Sequence, residues 1–439
     1  MNTTPQAFDV VDASGRSVRL GKKLGQGGEG SVYEVLAEPA IVAKIYHRPP
    51  TPIRAEKIRA MVARRTEQID KLTAWPIELL SLRSGEPIGL TMPRIVGYKD
   101  IHYLYSPKSR RSDFPHADWR FLVRAAANLA RAFATVHETS SVIADVNHGG
   151  VLVGQDGRIR LIDCDSFQVV DGAKRYLCDV GVPTFTPPEL QGRPFAELVR
   201  TANHDNFGLA VLVFLVLFMG RHPFAGRYLG DGEMTVEQAI GEGRFPYGDD
   251  AYAAQMEPPP GTPPIGIVSE PIARMFQQAF SRRSATEGRP TARDWVTALE
   301  TLELNLRQCA AGAMHWHYSG LTACPWCQME AATGVPLFSN ALSPGAAAYF
   351  DLDAFWAQVM AVQHPGLAPA LEDAVPNRRR VRPSAEAVSF VRRYWYHAPL
   401  SLFVAALPLT VGALAQLPML ARLFFFAAAV FSMFWCAEA

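Results

Sequence analysis

A glycine-rich turn followed by a lysine-bearing strand is the part of this sequence best equipped for chemistry. Gly25-Gln26-Gly27-Gly28-Glu29-Gly30-Ser31-Val32 reads G-x-G-x-x-G-x-V, and Ala43-Lys44 follows inside the apolar run 41–45. Glycines leave no side chains in the way, so backbone N–H groups can approach phosphate oxygens, and a lysine nearby neutralises charge on the α- and β-phosphates. Gly25, Gln26, Gly27, Gly28, Gly30, Val32, Ala43 and Lys44 are therefore candidate nucleotide-binding residues. The turn lies between two β-rich runs, 18–24 and 32–36, and opens no helix. That disfavours a dinucleotide-binding fold, where the loop runs into a helix N-terminus.

Two carboxylates follow in the order such a site needs. Asp145 stands before a short apolar strand, 151–153, and Asp163 comes eighteen residues after it, behind Leu161-Ile162. The first stretch resembles the catalytic loop of a protein kinase, and Asp163 sits where the metal-binding Asp of Asp-Phe-Gly would be. On that resemblance Asp145 orients the substrate hydroxyl and takes its proton. Asp163 supplies a hard oxygen ligand to Mg²⁺ or Mn²⁺, with Asn147 as the second candidate ligand. Leu90 to Ile95 resembles the strand entering the hinge. Met92 would be the gatekeeper, and adenine would bond the Pro93 carbonyl and the Ile95 backbone. Pro188-Glu189, Asp205-Asn206-Phe207-Gly208 and Arg289-Pro290-Thr291 resemble later kinase signals, and Arg289 is placed to pair with Glu189. Glu56, twelve residues past Lys44, is the expected helix glutamate clamping the lysine, with Glu67 its competitor.

The sequence also departs from the kinase pattern. Ile143-Ala144 replace the usual His-Arg, Gly150 replaces the second metal ligand, and Asp163-Cys164-Asp165 replaces Asp-Phe-Gly. Two readings stand side by side: an ATP-dependent Ser/Thr protein kinase, and a pseudokinase scaffold that binds nucleotide or partners without phosphotransfer.

Residues 8–305 as a whole resemble a divergent bacterial Ser/Thr protein kinase-like family with Met92-Pro93-Arg94, Asp145-Val146-Asn147 and Asp163-Cys164-Asp165-Ser166-Phe167 signatures. The resemblance implies ATP as cosubstrate, a protein substrate and a signalling or stress-response circuit. It also implies partners: a cognate metal-dependent phosphatase and a von Willebrand A-domain protein of the tellurite-resistance type. The implied fold is α+β and two-lobed, with an N-lobe over about 8–95 and a C-lobe over about 96–305.

Downstream, Cys309, His315, His317, Cys324 and Cys327 fall within nineteen residues. Cys324-Pro325-Trp326-Cys327 can present two thiolates to one ion, and Zn²⁺ takes four N or S ligands in a tetrahedron. Cys309, Cys324, Cys327 and one of the two histidines make the simplest set for a structural zinc module over 306–330. A dithiol redox reading is weaker, because no thioredoxin-like βαβ pattern surrounds the motif.

The elements that must position these groups follow from periodicity. Apolar spacing of three and four predicts helices over 54–72, 117–137 and within 276–307, and the nearly all-apolar 205–219 reads as a buried helix. The chain has 439 residues, a net charge of +1 and six cysteines, which suits a reducing compartment and gives no field for nucleic acid. Residues 331–397 read as a linker, with one short helix at 352–363 and a basic run at Arg378–Arg380, Arg382, Arg392 and Arg393. Residues 398–437 are almost uniformly apolar, enough for two spans of ~20 residues, and predict a transmembrane helical hairpin turning at Gln416-Leu417-Pro418. The preceding arginines predict a bacterial inner-membrane location with the kinase domain in the cytoplasm and lipid as a further partner.

Overall fold

Alternation in Ile41–Tyr46 sets the geometry of the first half of the molecule. A strand sends successive side chains to opposite faces, so Lys44 and Tyr46 share one face while Ala43 and Ile45 share the other. In this computed structural model, which describes residues 9–339, the strand lies inside a six-stranded sheet. The strands are β1 (Val10–Val11), β2 (Leu20–Gln26), β3 (Gly30–Val35), β4 (Ile41–Tyr46), β5 (Glu78–Leu82) and β6 (Pro87–Pro93), in the order β1-β5-β6-β4-β3-β2 with every neighbour antiparallel. Lys44 stands opposite Val32 on one side and Leu90 on the other. Ala43 and Ile45 join Val10, Val35, Leu80 and Ile88 in a small core. Tyr46 packs on the opposite face with Leu79, Leu90 and the helix residues Ala55 and Ile58.

That helix, α1 (Pro52–Ala63), starts at Thr51, whose hydroxyl accepts the Arg54 N–H, with proline in the first turn. The single helix expected over 54–72 is two: α1 ends at Arg64, and α2 (Glu67–Leu72) restarts behind Thr66, whose side chain caps the Ile69 N–H. A Thr cap inside a helical pattern is a local competitor to propagation that periodicity alone does not register.

The second half is mainly helical. The amphipathic helix Trp119–Glu138 packs its alanine-rich face against Ala202–Leu217 and Ala292–Leu304. Ala202–Leu217 is buried on all sides from Asp205 onward, which explains an apolar run with no polar face. Three short strands, β7 (Tyr98–Asp100), β8 (Val151–Gly154) and β9 (Ile159–Leu161), pair antiparallel and carry the two acidic loops at their ends. A last hairpin, Leu306–Gln308 with Trp316–Tyr318, leads into the helix Pro325–Thr333. Trp326 of that helix is fully buried, 5.3 Å from the ring of Trp119.

The expected fold class and location need correction. The described residues form a mixed α/β structure, and no helix among them is long and apolar enough to cross a membrane. The segments read as a short helix, a basic run and a membrane hairpin lie outside the described residues. The transmembrane hairpin, the inner-membrane location and the lipid partner that depended on it are therefore withdrawn. Apolar composition carried the hairpin and the neighbouring arginines the location, and neither distinguishes a span from other uses of such sequence.

Candidate functional site

The glycine turn connects β2 to β3, and the Gly27 N–H bonds back to the Gly30 carbonyl at 2.9 Å. A Cβ on Gly30 would meet the Ile45 carbonyl oxygen at 2.7 Å, so close packing on β4 demands glycine there. A Cβ on Gly25, Gly27 or Gly28 would meet nothing within 4 Å. The protein's own packing therefore gives no reason for glycine at those three positions, whereas room for a phosphate does.

Lys44 is buried, and its ammonium lies 3.3 Å from Asp163 Oδ1 and 2.8 Å from Asp165 Oδ1. Burial works against its charge, but the Asp165 and Asp163 carboxylates more than offset it and hold the amine above its usual range. Asp163 itself is 64% exposed at the side chain and adopts a left-handed backbone, φ 55°. Its carboxylate is exposed, and Lys44 is its side-chain ion-pair partner among the described residues, which leaves oxygen lone pairs open to a divalent cation.

Asp145 lies on a loop held from below. Asp205, at the start of the buried helix, accepts the Ile143 N–H at 2.7 Å and the Ala144 N–H at 2.8 Å, and His137 sits 2.9 Å from the same carboxylate. Arg200 bonds the Ala144 carbonyl at 2.5 Å. Asp145 Oδ1 is buried and has no hydrogen-bond partner among the described residues. Burial, with the Asp163 and Glu29 charges adding to it, pushes this carboxyl above the usual range. An orphaned buried carboxylate oxygen costs stability and leaves room for a partner, such as a donating hydroxyl or a coordinated cation. Asn147 is turned to its own loop: its amide donates to the Asp145 carbonyl at 3.1 Å, and its oxygen accepts the Gly149 N–H at 2.8 Å. A second lone pair on that oxygen is left for a metal.

Glu56 does not clamp Lys44. Its carboxylate is at the surface, paired with Lys174. On a helix, positions 54 and 57 turn toward the sheet together, and 56 turns away. The carboxylate closest to Lys44 is Asp165, 3% exposed, which in the sequence stood out only as part of the Asp163-Cys164-Asp165 departure from Asp-Phe-Gly. Lys44 and Arg54 pull the Asp165 carboxyl down to about 2 against the opposing effect of burial. Glu67 pairs with Lys71 at 2.6 Å, also away from the site. A cavity of about 930 Å³ opens beside this cluster, with Gly28, Glu29, Arg54, Lys57 and Asp165 in its wall.

Met92 and Pro93 end β6 opposite Val42 and Ile41, and Ile95 follows beyond the strand, half-buried. The Arg289 side chain is fully buried and forks onto Glu189 at 2.8 and 2.9 Å, the pairing that the resemblance of both segments to kinase motifs implied.

In the Cys/His segment, Cys309, His315, Cys324 and Cys327 have their ligand atoms within 4.8 Å of one another. The Cys309 and Cys327 sulfurs are 3.7 Å apart, and His315 Nδ1 is 3.3 Å from Cys327 and 3.8 Å from Cys324. A tetrahedral zinc with ordinary bond lengths needs edges of ~3.8 Å between sulfurs and ~3.6 Å between sulfur and nitrogen. The cluster fits. Glu330 lies 3.3 Å from His315 Nε2, where an outer carboxylate would fix the imidazole if it ligated a metal. His317 is outside the cluster, its Nδ1 3.1 Å from the Tyr318 carbonyl.

No family model matches the chain. Curated relatives do. The chain is 40% identical over 416 residues to "Protein kinase YegI" of Escherichia coli (strain K12), covering 93% of this chain and 63% of that protein. It is 42% identical over 373 residues to "Protein kinase YegI" of Escherichia coli O157:H7, covering 84% of this chain and 57% of that protein. It thus spans about three fifths of the length of the curated relatives it matches. At that identity, and across most of its own length, the chain is similar to those two protein kinases.

Proposed function

We propose that this chain transfers the γ-phosphoryl group of ATP to a Ser or Thr hydroxyl of a protein partner. The observation that carries the reading is the meeting of Lys44 and Asp163, 119 residues apart in sequence and 3.3 Å apart in space. In the proposed step the hydroxyl oxygen attacks the γ-phosphorus, the β–γ bridging P–O bond breaks, and ADP leaves. The hydroxyl proton passes to Asp145, whose Oδ1 has no other donor among the described residues. Lys44 neutralises the α- and β-phosphates, and the open space at Gly25, Gly27 and Gly28 admits backbone approach to them. Asp163 and Asn147 would hold Mg²⁺ or Mn²⁺, which would supply neutralisation of the phosphate charge. Met92, Pro93 and Ile95 would receive the adenine. Cys309, His315, Cys324 and Cys327 would hold a structural zinc ion. The phosphatase and von Willebrand A-domain partners stay part of this proposal on the family resemblance.

A specific observation favours a second reading. Gly150 occupies the second metal-ligand position and brings no side chain there. A non-catalytic scaffold would bind ATP and transfer nothing. Radiolabelled ATP separates the two: phosphotransfer by the wild-type chain and not by Asp145→Ala or Asp163→Ala supports the kinase. Binding without transfer supports the scaffold.

A further inference from the structure

Asp165 sits at the centre of a charge arrangement that exchanges the roles of helix and loop. Its Oδ1 accepts from Lys44 at 2.8 Å, and its Oδ2 accepts from the Tyr46 hydroxyl at 2.8 Å and from Arg54 at 3.0 Å. It is 3% exposed, and among the described residues these three side chains are its hydrogen-bond donors. The helix α1, which faces Lys44, contributes no acid to this cluster. It presents Arg54 and the buried Lys57, and the Lys57 ammonium goes to the carbonyls of Ser166 at 2.9 Å and Leu177 at 3.4 Å. Arg54 also forks onto Glu29 at the tip of the glycine turn, at 3.1 and 2.5 Å. The result is one continuous line of charge, Glu29 to Arg54 to Asp165 to Lys44, running from the turn through the helix to the strand.

We propose that Asp165 is the positioning residue that holds Lys44 in place for the phosphates, and that Arg54 ties the glycine turn to the same carboxylate through Glu29. This rests on the kinase reading above. A mechanical consequence separates it from a helix-borne clamp. Neither Lys44 nor Asp165 belongs to α1, so displacing the helix leaves their bond standing. It breaks Arg54 from Glu29 and Asp165 instead and frees the glycine turn. Movement of α1 therefore acts on how tightly ATP is held, while Asp165 acts on whether Lys44 is aligned.

The test uses the full chain and steady-state phosphotransfer. Asp165→Asn lowers kcat/KM on the order of 10²-fold, the scale of a misplaced positioning group, mainly through kcat. Arg54→Met raises KM for ATP more than it lowers kcat. Asp165→Glu keeps the charge, over-fills the pocket by one methylene, and regains part of what Asp165→Asn loses. If Asp165→Asn fails to fold, Asp165→Glu carries the comparison, and wild-type kinetics in that variant overturn the proposal. So does a loss that falls on Glu56→Gln in place of Asp165→Asn. A nucleotide-free measurement stands beside these. In urea unfolding, Lys44→Met and Asp165→Asn show non-additive losses, whereas Lys44→Met and Glu56→Gln add. Additivity in the first pair sinks the proposal. A wild-type chain that neither binds nor turns over ATP overturns the kinase reading, and the unfolding cycle still decides which carboxylate holds Lys44.

Discussion

Asp205 Oδ1 accepts the backbone N–H of Ala144 at 2.8 Å, and Ala144, the residue before Asp145, is held at a φ of 66°. A left-handed backbone at a non-glycine residue costs about 1–2 kcal/mol, and such strain persists only where surrounding bonds over-determine it. Here the Asp205 carboxylate and Arg200 supply those bonds from below and behind. Removing Asp205 strands the buried Ile143 N–H and the half-buried Ala144 N–H, so Asp205→Ala destabilises the fold by about 3 kcal/mol, read from urea unfolding. Ala144→Val adds a β-branched side chain where φ is positive and costs on the order of 1–2 kcal/mol, while Ala144→Gly folds normally.

The Glu189–Arg289 fork makes a sharper stability test, because the guanidinium is fully buried. Glu189→Gln leaves that cation without its carboxylate and costs about 3–5 kcal/mol. Arg289→Met in the same chain removes the stranded charge. The double variant is therefore more stable than Glu189→Gln alone. Equal midpoints for the two would mean that the pair contributes nothing.

Lys57 carries a pH signature. Burial pushes its ammonium down to about 8, and its bonding partners are two neutral carbonyls. The unfolded chain keeps this proton up to the ordinary lysine value, so between pH 8 and about 10.4 the unfolded state binds more protons than the folded one. The contribution of Lys57 to stability is therefore fully present above the unfolded value and lost as pH falls through about 8. Wild-type urea midpoints should gain from pH 7 to pH 10 relative to Lys57→Met, which lacks this titration. A parallel pair of curves would show that Lys57 stays charged throughout.

How far the sequence reaches into this structure depends on the distance over which each signal acts. The strand Ile41–Tyr46 and the helix Trp119–Glu138 were readable because a short apolar run and three-to-four spacing are local signals. The Glu189–Arg289 pair was readable because both residues sit in recognisable motifs. The clamp on Lys44 was not. Asp165 lies 121 residues away, and its pattern position is one normally held by glycine, whereas Glu56 lay at a plausible distance on a helix whose rotation sequence does not fix. The choice between His315 and His317 was equally closed to sequence. Two residues apart on a strand-like segment, both are buried, and only the hairpin Leu306–Gln308 with Trp316–Tyr318 shows which one joins the cysteines.

That difference between the histidines gives the metal prediction. His315→Ala and Cys327→Ser abolish zinc retention, measured by elemental analysis of the purified chain, while His317→Ala keeps one ion per chain. Because Trp326 of the same segment packs on Trp119, removing the ion with a strong chelator lowers the thermal midpoint of the kinase-like region too. Retention of zinc by His315→Ala would show that the cluster is not its site.

Gly150 tests the catalytic question in the direction of gain. It stands five residues after Asp145, and a Cβ added there would have the Ile162 carbonyl oxygen as its nearest contact, at 4.0 Å. Its φ is not in the left-handed region, so a side chain is compatible with the backbone. Gly150→Asn therefore adds a carbonyl oxygen where kinases place a metal ligand, at little steric cost. If phosphotransfer is limited by loose metal binding, this variant lowers the Mg²⁺ concentration for half-maximal activity and raises turnover, and the difference between Mg²⁺ and Mn²⁺ narrows. Asn147→Ala separates the two possible ligands. In the wild type it weakens metal dependence if Asn147 serves the ion, and in the Gly150→Asn background it does so far less. A Gly150→Asn chain with unchanged metal dependence would place the limitation elsewhere, in the charge cluster around Asp165.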